Sequence, residues 1–122
     1  MNRLIAGISL LAVSLIIGIT SLYIQINTCD KLCEKIEASV NTLENEEKTK
    51  ENCEKLYSYW ERKKVVFHIF TDHSEIMDLE YDMAKVPEII DKKEELKDTL
   101  LQCENEINHI KTSSYPSLGN IF

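Results

Sequence analysis

The sequence predicts an all-α protein, an N-terminal transmembrane helix followed by a small antiparallel helical bundle of about four segments. Three observations carry this. Leu4 to Ile26 holds no charged side chain, and its only strongly polar one is Gln25, near the end. Beyond it, apolar residues recur at three- and four-residue spacing, the period of one face of a helix. Past Gly18 the only glycine is Gly119, and the prolines Pro87 and Pro116 stand far apart, so little interrupts that period.

The apolar run comes first. At about 1.5 Å per residue, a helix over Leu4 to Ile26 is roughly long enough to cross a ~30 Å hydrocarbon core with some tilt. A secretory signal peptide has a shorter apolar stretch, about 7–15 residues, and ends at a small-x-small cleavage site. "YIQINTC" contains no such site, and Ile26, Asn27 and Thr28 lack the small residues expected before a lipid-modified cysteine. The segment therefore reads as a retained single-pass signal anchor in the cell membrane. Arg3 and the amino terminus on one side nearly balance Lys31 and Lys35 on the other. A short basic N-terminus before an apolar run normally stays in the cytoplasm, which puts the C-terminal domain outside. The expected organisation is a cytoplasmic tip and anchor over 1–27, a helical domain over 28–111, and a tail over 112–122 docked on the helices.

Charge narrows the partners. Of the 14 Lys and Arg only Arg3 precedes the anchor, and all 21 Asp and Glu follow it, leaving a net charge of −8 beyond the anchor. Nucleic-acid binding depends on Lys and Arg neutralising phosphates, so that class is excluded. The same balance disfavours a domain lying flat on anionic lipid.

Four helical segments follow, near 30–44, 47–70, 73–90 and 92–111. In the first, Leu32, Ile36, Val40 and Leu43 form an amphipathic face that runs straight on from the anchor. "ENEEKTK", residues 44–50, has no apolar side chain and suits a turn around Asn45. The second carries Cys53, Leu56, Trp60, Phe67 and Phe70 near one stripe, with Tyr57 and Ile69 beside it. "DHSE" then offers a capping box, Asp72 at the N-cap and Glu75 reaching back. Ile76, Leu79, Met83, Val86 and Ile90 mark the third helix, whose last turn Pro87 should distort or end early. "DKKE" repeats the capping pattern at Asp91 and Glu94. It precedes Leu96, Leu100, Cys103, Ile107 and Ile110, the cleanest heptad seam in the chain. Short connections imply antiparallel neighbours.

"HIFTDHSEI", residues 68–76, gathers two histidines and two acids and raises the question of a metal or acid–base site. His68 and Asp72 lie one helical turn apart, but Asp72 is already wanted as a cap. Scattered His68, Asp72, His73 and Glu75 without a cysteine or a second histidine pair make no specific metal signature. The stretch reads primarily as a helix boundary, with a small metal-binding or enzymatic domain on those four residues as the alternative. "DLEYD", residues 78–82, fails as a calcium loop, because Met83 stands where glycine belongs and Ile89 where glutamate belongs. It reads as a solvated acidic face.

Trp60, which with Tyr57 and Tyr59 could line a ligand pocket, is expected to be a core residue instead. Arg62 to Lys64 is the one basic cluster and is expected to pair with Glu80 and Asp82 across the next turn. Cys29 and Cys33, one turn apart, are poorly placed to bridge each other. All four cysteines, with Cys53 and Cys103, read as small apolar residues, a Cys53–Cys103 bridge being open to an exoplasmic domain. No nucleophile–base pattern, P-loop or dinucleotide fingerprint occurs, so no enzyme activity, cofactor or small-molecule substrate is expected.

A short N-terminal anchor, "YWERKK", "DHSEI" and the ending "LGNIF" together resemble an uncharacterised domain-of-unknown-function family, whose members are small single-pass proteins of clostridia and related Gram-positive bacteria. The resemblance covers nearly the whole chain and is sharpest at Trp60, Asp72, His73, Glu75, Ile76, Asn120, Ile121 and Phe122. Pro87, the aromatic-poor "NEEKT" and Gly119 depart from the family pattern, the first bearing on the third helix and the last on the tail. The resemblance implies a membrane-anchored helical domain and nothing catalytic. Within the tail, Tyr115, Leu118, Ile121 and Phe122 are more apolar than a free terminus needs, and burial against the helices is expected, the alternative being a strand-like ligand whose terminal carboxylate is captured by a partner's backbone N–H groups. The function that follows is a membrane-anchored interaction or structural module that holds a protein partner.

Overall fold

A computed structural model of the chain describes residues 2–114, apart from the side chains of Phe70 and Ser114. Those residues form four α-helices: α1 (Asn2–Asn41), α2 (Glu46–Phe70), α3 (His73–Lys85) and α4 (Lys93–Ser114). A single 3-10 turn, Val86–Glu88, follows α3. Among the described residues there is no strand.

The apolar run and the first amphipathic segment are one unbroken rod. α1 has 40 residues, about 60 Å at the helical rise. Residues 2–20 are all exposed, Ser21 and Leu22 are half-buried, and the first fully buried residue is Gln25. From there Gln25, the adjacent pair Thr28 and Cys29, Leu32, Ile36 and Ser39 are buried at three- and four-residue spacing, one face of a helix against a core.

The turn to α2 is held by polar groups. Asn45 Oδ1 accepts from the Lys48 N–H at 3.2 Å, satisfying one of the free donors at the start of α2. The Thr49 hydroxyl donates to the Thr42 carbonyl, and Asn52 Nδ2 donates to Ala38 O at 3.3 Å and Thr42 Oγ1 at 3.1 Å. α2 then runs back along α1 until Gln25 Nε2 donates to Thr71 Oγ1 at 2.8 Å.

Pro87 acts as expected on the third helix. It has no N–H to offer Met83 O, and the Val86 N–H turns to that carbonyl instead. The α-helix stops at Lys85, and Ile89 N donates to both Lys85 O at 3.1 Å and Val86 O at 3.3 Å, closing the 3-10 turn. α4 opens one residue later than its sequence pattern suggests. Leu96 N donates to Lys92 O at 2.8 Å, so the first turn springs from Lys92 and Asp91 lies outside the cap position.

Cross-helix pairs fix an up-and-down arrangement. Asp30 of α1 meets Lys111 of α4, Glu44 in the turn after α1 meets Lys93 at the start of α4, and Glu75 meets His109 between α3 and α4. The helices pack as a ring, α1 on α2, α2 on α3, α3 on α4 and α4 on α1. Gln25, Thr71 and the last turn of α4 therefore share the end next to the apolar segment. Asn45, Ile90 and Lys93 share the far end.

One contiguous core fills the ring. Trp60 and Phe67 contribute from α2, with ring centroids 5.6 Å apart and planes tilted by 42°. α3 and its 3-10 turn supply Ile76, Leu79, Met83 and Val86, and every residue of the α4 seam, Leu96 to Ile110, is at most 1% exposed. Tyr59 is buried too, in a position between Lys35 and Arg62 that places both cations over its ring. Ile69, read from sequence as flanking the α2 stripe, is instead 66% exposed.

Candidate functional site

The stretch from His68 to Ile76 forms the corner between α2 and α3. Asp72 has extended backbone angles, φ −61° and ψ 135°, and its carbonyl accepts from Glu75 N and Ile76 N, each at 3.2 Å. It thus occupies the N-cap position, but the capping box does not form. Among the described residues the Asp72 carboxylate accepts from Ser74 Oγ, at 3.4 Å, and makes no cap hydrogen bond. Glu75 does not reach back, because its Oε1 lies 3.2 Å from His109 Nε2 on α4. A partner 34 positions away in sequence has displaced the local one.

The other residues of the stretch also face different ways. His68 Nε2 is 3.8 Å from Glu80 Oε1 on α3. His73 is exposed, and Ile76 is a core residue at 1% exposure. His68, Asp72, His73 and Glu75 are thus not gathered around a point. Among the described residues no group of three or more His, Cys, Asp or Glu could hold a metal ion.

The basic cluster pairs within its own helix rather than across the corner. Lys64 Nζ lies 3.0 Å from Glu61 Oε2, and Arg62 stands over Tyr59. Glu61, by hydrogen bond and charge, holds the Lys64 ammonium above its ordinary range, with Glu80 only a lesser influence. Asp82 is taken by Lys85, 3.7 Å away on its own helix, and by Glu106 on α4.

That last contact changes the reading of the acidic face. Ser74, Glu75, Asp78, Asn105, Glu106 and His109 line an open groove between α3 and α4. Asp78 is exposed, but Asp82 is partly buried. Gln102 hydrogen-bonds the Glu106 carboxyl, but among the described residues its buried Oε2 has no partner. Burial first, then the hydrogen bond to Asp82 and its charge, push the Glu106 carboxyl up to about 8. Protonation resolves the missing donor, because the neutral acid supplies an O–H between two carboxyl groups that otherwise repel.

The four cysteines are free thiols. Burial above all drives the thiols up, Cys33 to about 11 and Cys29 to about 12, which suppresses the nucleophilic thiolate near neutral pH. Cys53 lies beside Ser39, whereas Cys103 has Glu106, Asp82 and Lys85 around it, and no bridge joins them.

The residue that sequence reasoning underused is Gln25. Its place as the lone strongly polar side chain in an apolar run was the available signal. It is only 7% exposed and ties α1 to Thr71, the first residue after α2. The apolar side chains left uncovered on the bundle include Val65 and Ile69, one turn apart on α2, Met77 on α3 and Leu101 on α4. Asn120, Ile121 and Phe122, with the expected docking of the tail, lie outside the described residues.

No match to the chain was found among curated proteins or among solved structures. Residues 17–121 match the model of DUF4363, a domain of unknown function, and the chain belongs to that family.

Proposed function

We propose that the protein is a single-pass membrane module, in which the first half of α1 is the anchor and the four-helix bundle is held at the membrane surface to engage a protein partner. The observation that carries this is the contrast within α1. Its apolar window, with a mean hydropathy of 2.3, has none of its residues buried, while the second half of the same helix supplies part of the core. Apolar side chains such as Leu10, 73% exposed, and Ile19, 67% exposed, are unfavourable in water at about 25 cal/mol per Å² and are matched by hydrocarbon. A helix buried in the core of the chain would not leave this face bare.

Arg3, just ahead of the apolar run, supports a cytoplasmic N-terminus and an extracytoplasmic bundle. The divergence of His68, Asp72, His73 and Glu75 speaks against a metal or acid–base site at that stretch. The full-length protein is expected to stay with membranes through carbonate extraction, and its bundle to be digested when protease is added to intact protoplasts. A soluble form beginning near residue 27 would overturn the anchor, and protection of the bundle would reverse the orientation. Zinc, calcium and manganese are expected to leave its melting temperature unchanged, and a saturable rise with any of them would restore the metal reading.

A further inference from the structure

The unbroken α1 sets the height of the whole bundle, because no linker separates the apolar segment from the core. Counting from Leu4, a ~30 Å hydrocarbon core takes up about 20 residues at ~1.5 Å each and ends near Tyr23. Tyr23 is 70% exposed at that level, where the amphipathic ring of a tyrosine favours the membrane–water interface. Gln25 is two residues further on, about 3 Å along the axis. Its hydrogen bond holds Thr71, and with it the α2–α3 corner, at the same height.

We propose that this corner is a second lipid contact, in which the exposed end of α2 around Ile69 rests in the headgroup layer of the leaflet that α1 leaves. The inference rests on the anchor reading above. Packed helices lie about 8–10 Å apart, so α2 meets the lipid immediately surrounding α1. The interfacial layer is roughly 5–8 Å deep on each side of the hydrocarbon core, and Ile69 falls within or at the edge of it. Ile69 is 66% exposed, and Val65, one turn further from the apolar segment on the same face, is 55% exposed. The bundle's acidic balance keeps the rest of it off the surface, which favours contact at the tip over adsorption along a side. The occupant is lipid rather than protein because the corner shares the height of the anchor's exit, whereas Leu101, 41% exposed on α4, stands well away from it.

The test uses full-length protein in phosphatidylcholine vesicles whose acyl chains carry bromine near the headgroup. Tryptophan is introduced as Tyr23→Trp, Ile69→Trp or Leu101→Trp, and quenching is measured against the parent, whose Trp60 is 1% exposed in the core. The expected result is loss of added emission for Tyr23→Trp and Ile69→Trp and none for Leu101→Trp. Quenching at Tyr23→Trp without quenching at Ile69→Trp overturns the lipid contact and leaves the anchor standing. No quenching at Tyr23→Trp overturns both. Shielding of Ile69→Trp from aqueous iodide without quenching by brominated lipid would put a protein there, a partner or a second copy, and also overturns the proposal.

Discussion

Glu106 shows how much one side chain can be altered by a neighbour the sequence does not reveal. The periodicity of α4 marks it as flanking the seam, and "DLEYD" reads as solvated, yet packing of α3 on α4 brings Asp82 against it. The native carboxyl keeps its proton up to about pH 8, against an ordinary value of 4.5. Between those values the native state binds more protons than the unfolded one, so stability falls as pH rises from about 4.5 to 8 and levels off above. Glu104, raised by burial and then by Glu37 across the α1–α4 contact, acts in the same direction. Glu44, lowered chiefly by its hydrogen bond to Lys93, has the opposite sign but is fully exposed and screened. Glu106→Gln keeps a donor toward Asp82 and cannot ionise. The variant should match the parent near pH 5 and exceed it near pH 8.5 by on the order of 1–3 kcal/mol, solvent access from the groove lowering the full effect. Thermal melts of the full-length protein in detergent across that range check this, and a parallel pH dependence in parent and variant would refute it.

At the scale of elements, periodicity was legible and cap chemistry was not. The α4 seam, the early end of α3 at Pro87 and the turn at Asn45 follow from local rules, namely apolar spacing, a missing N–H and a run without apolar residues. The two capping boxes do not, since a cap depends on where the side chain finds its best partner. Glu75 finds His109, and α4 starts from Lys92 rather than Asp91. The consequence is that two N-cap residues of ordinarily similar worth, Asn45 and Asp72, should differ. Asn45→Ala should cost about 0.5–2 kcal/mol, because Oδ1 is engaged with the Lys48 N–H. Asp72→Ala removes no cap hydrogen bond and should cost less than about 0.5 kcal/mol, the range of surface substitutions. Denaturant titration followed by circular dichroism distinguishes them, and a larger loss at Asp72 would show that its carboxylate does cap α3. Trp60→Ala calibrates the core itself. At 1% exposure and in contact with Phe67, its loss should cost about 3–5 kcal/mol.

For the whole molecule, the sequence carried the division of labour along α1 but not the point at which it changes hands. Composition marks Leu4 to Ile26 as one apolar block, and only packing shows that Gln25 already belongs to the bundle. The exposed positions run from residue 2 to residue 20, and no core side chain comes from them. Removing residues 1–20 should therefore leave a protein that folds without lipid. It would retain Gln25, its bond to Thr71, and the α1 face from Thr28 to Ser39 on which α2 and α4 pack. The shortened chain should be soluble without detergent and highly helical. Its melting temperature should stay within a few degrees of the full-length protein's, a shift smaller than about 1 kcal/mol would produce. A second truncation, removing residues 1–28, takes Gln25 and Thr28 as well and should lower the melting temperature clearly, since it frees the Thr71 corner and exposes Tyr59, beside which Thr28 lies. Aggregation or loss of helix in the shorter truncation would mean that the apolar half of α1 is covered by protein, and would count against lipid as its environment.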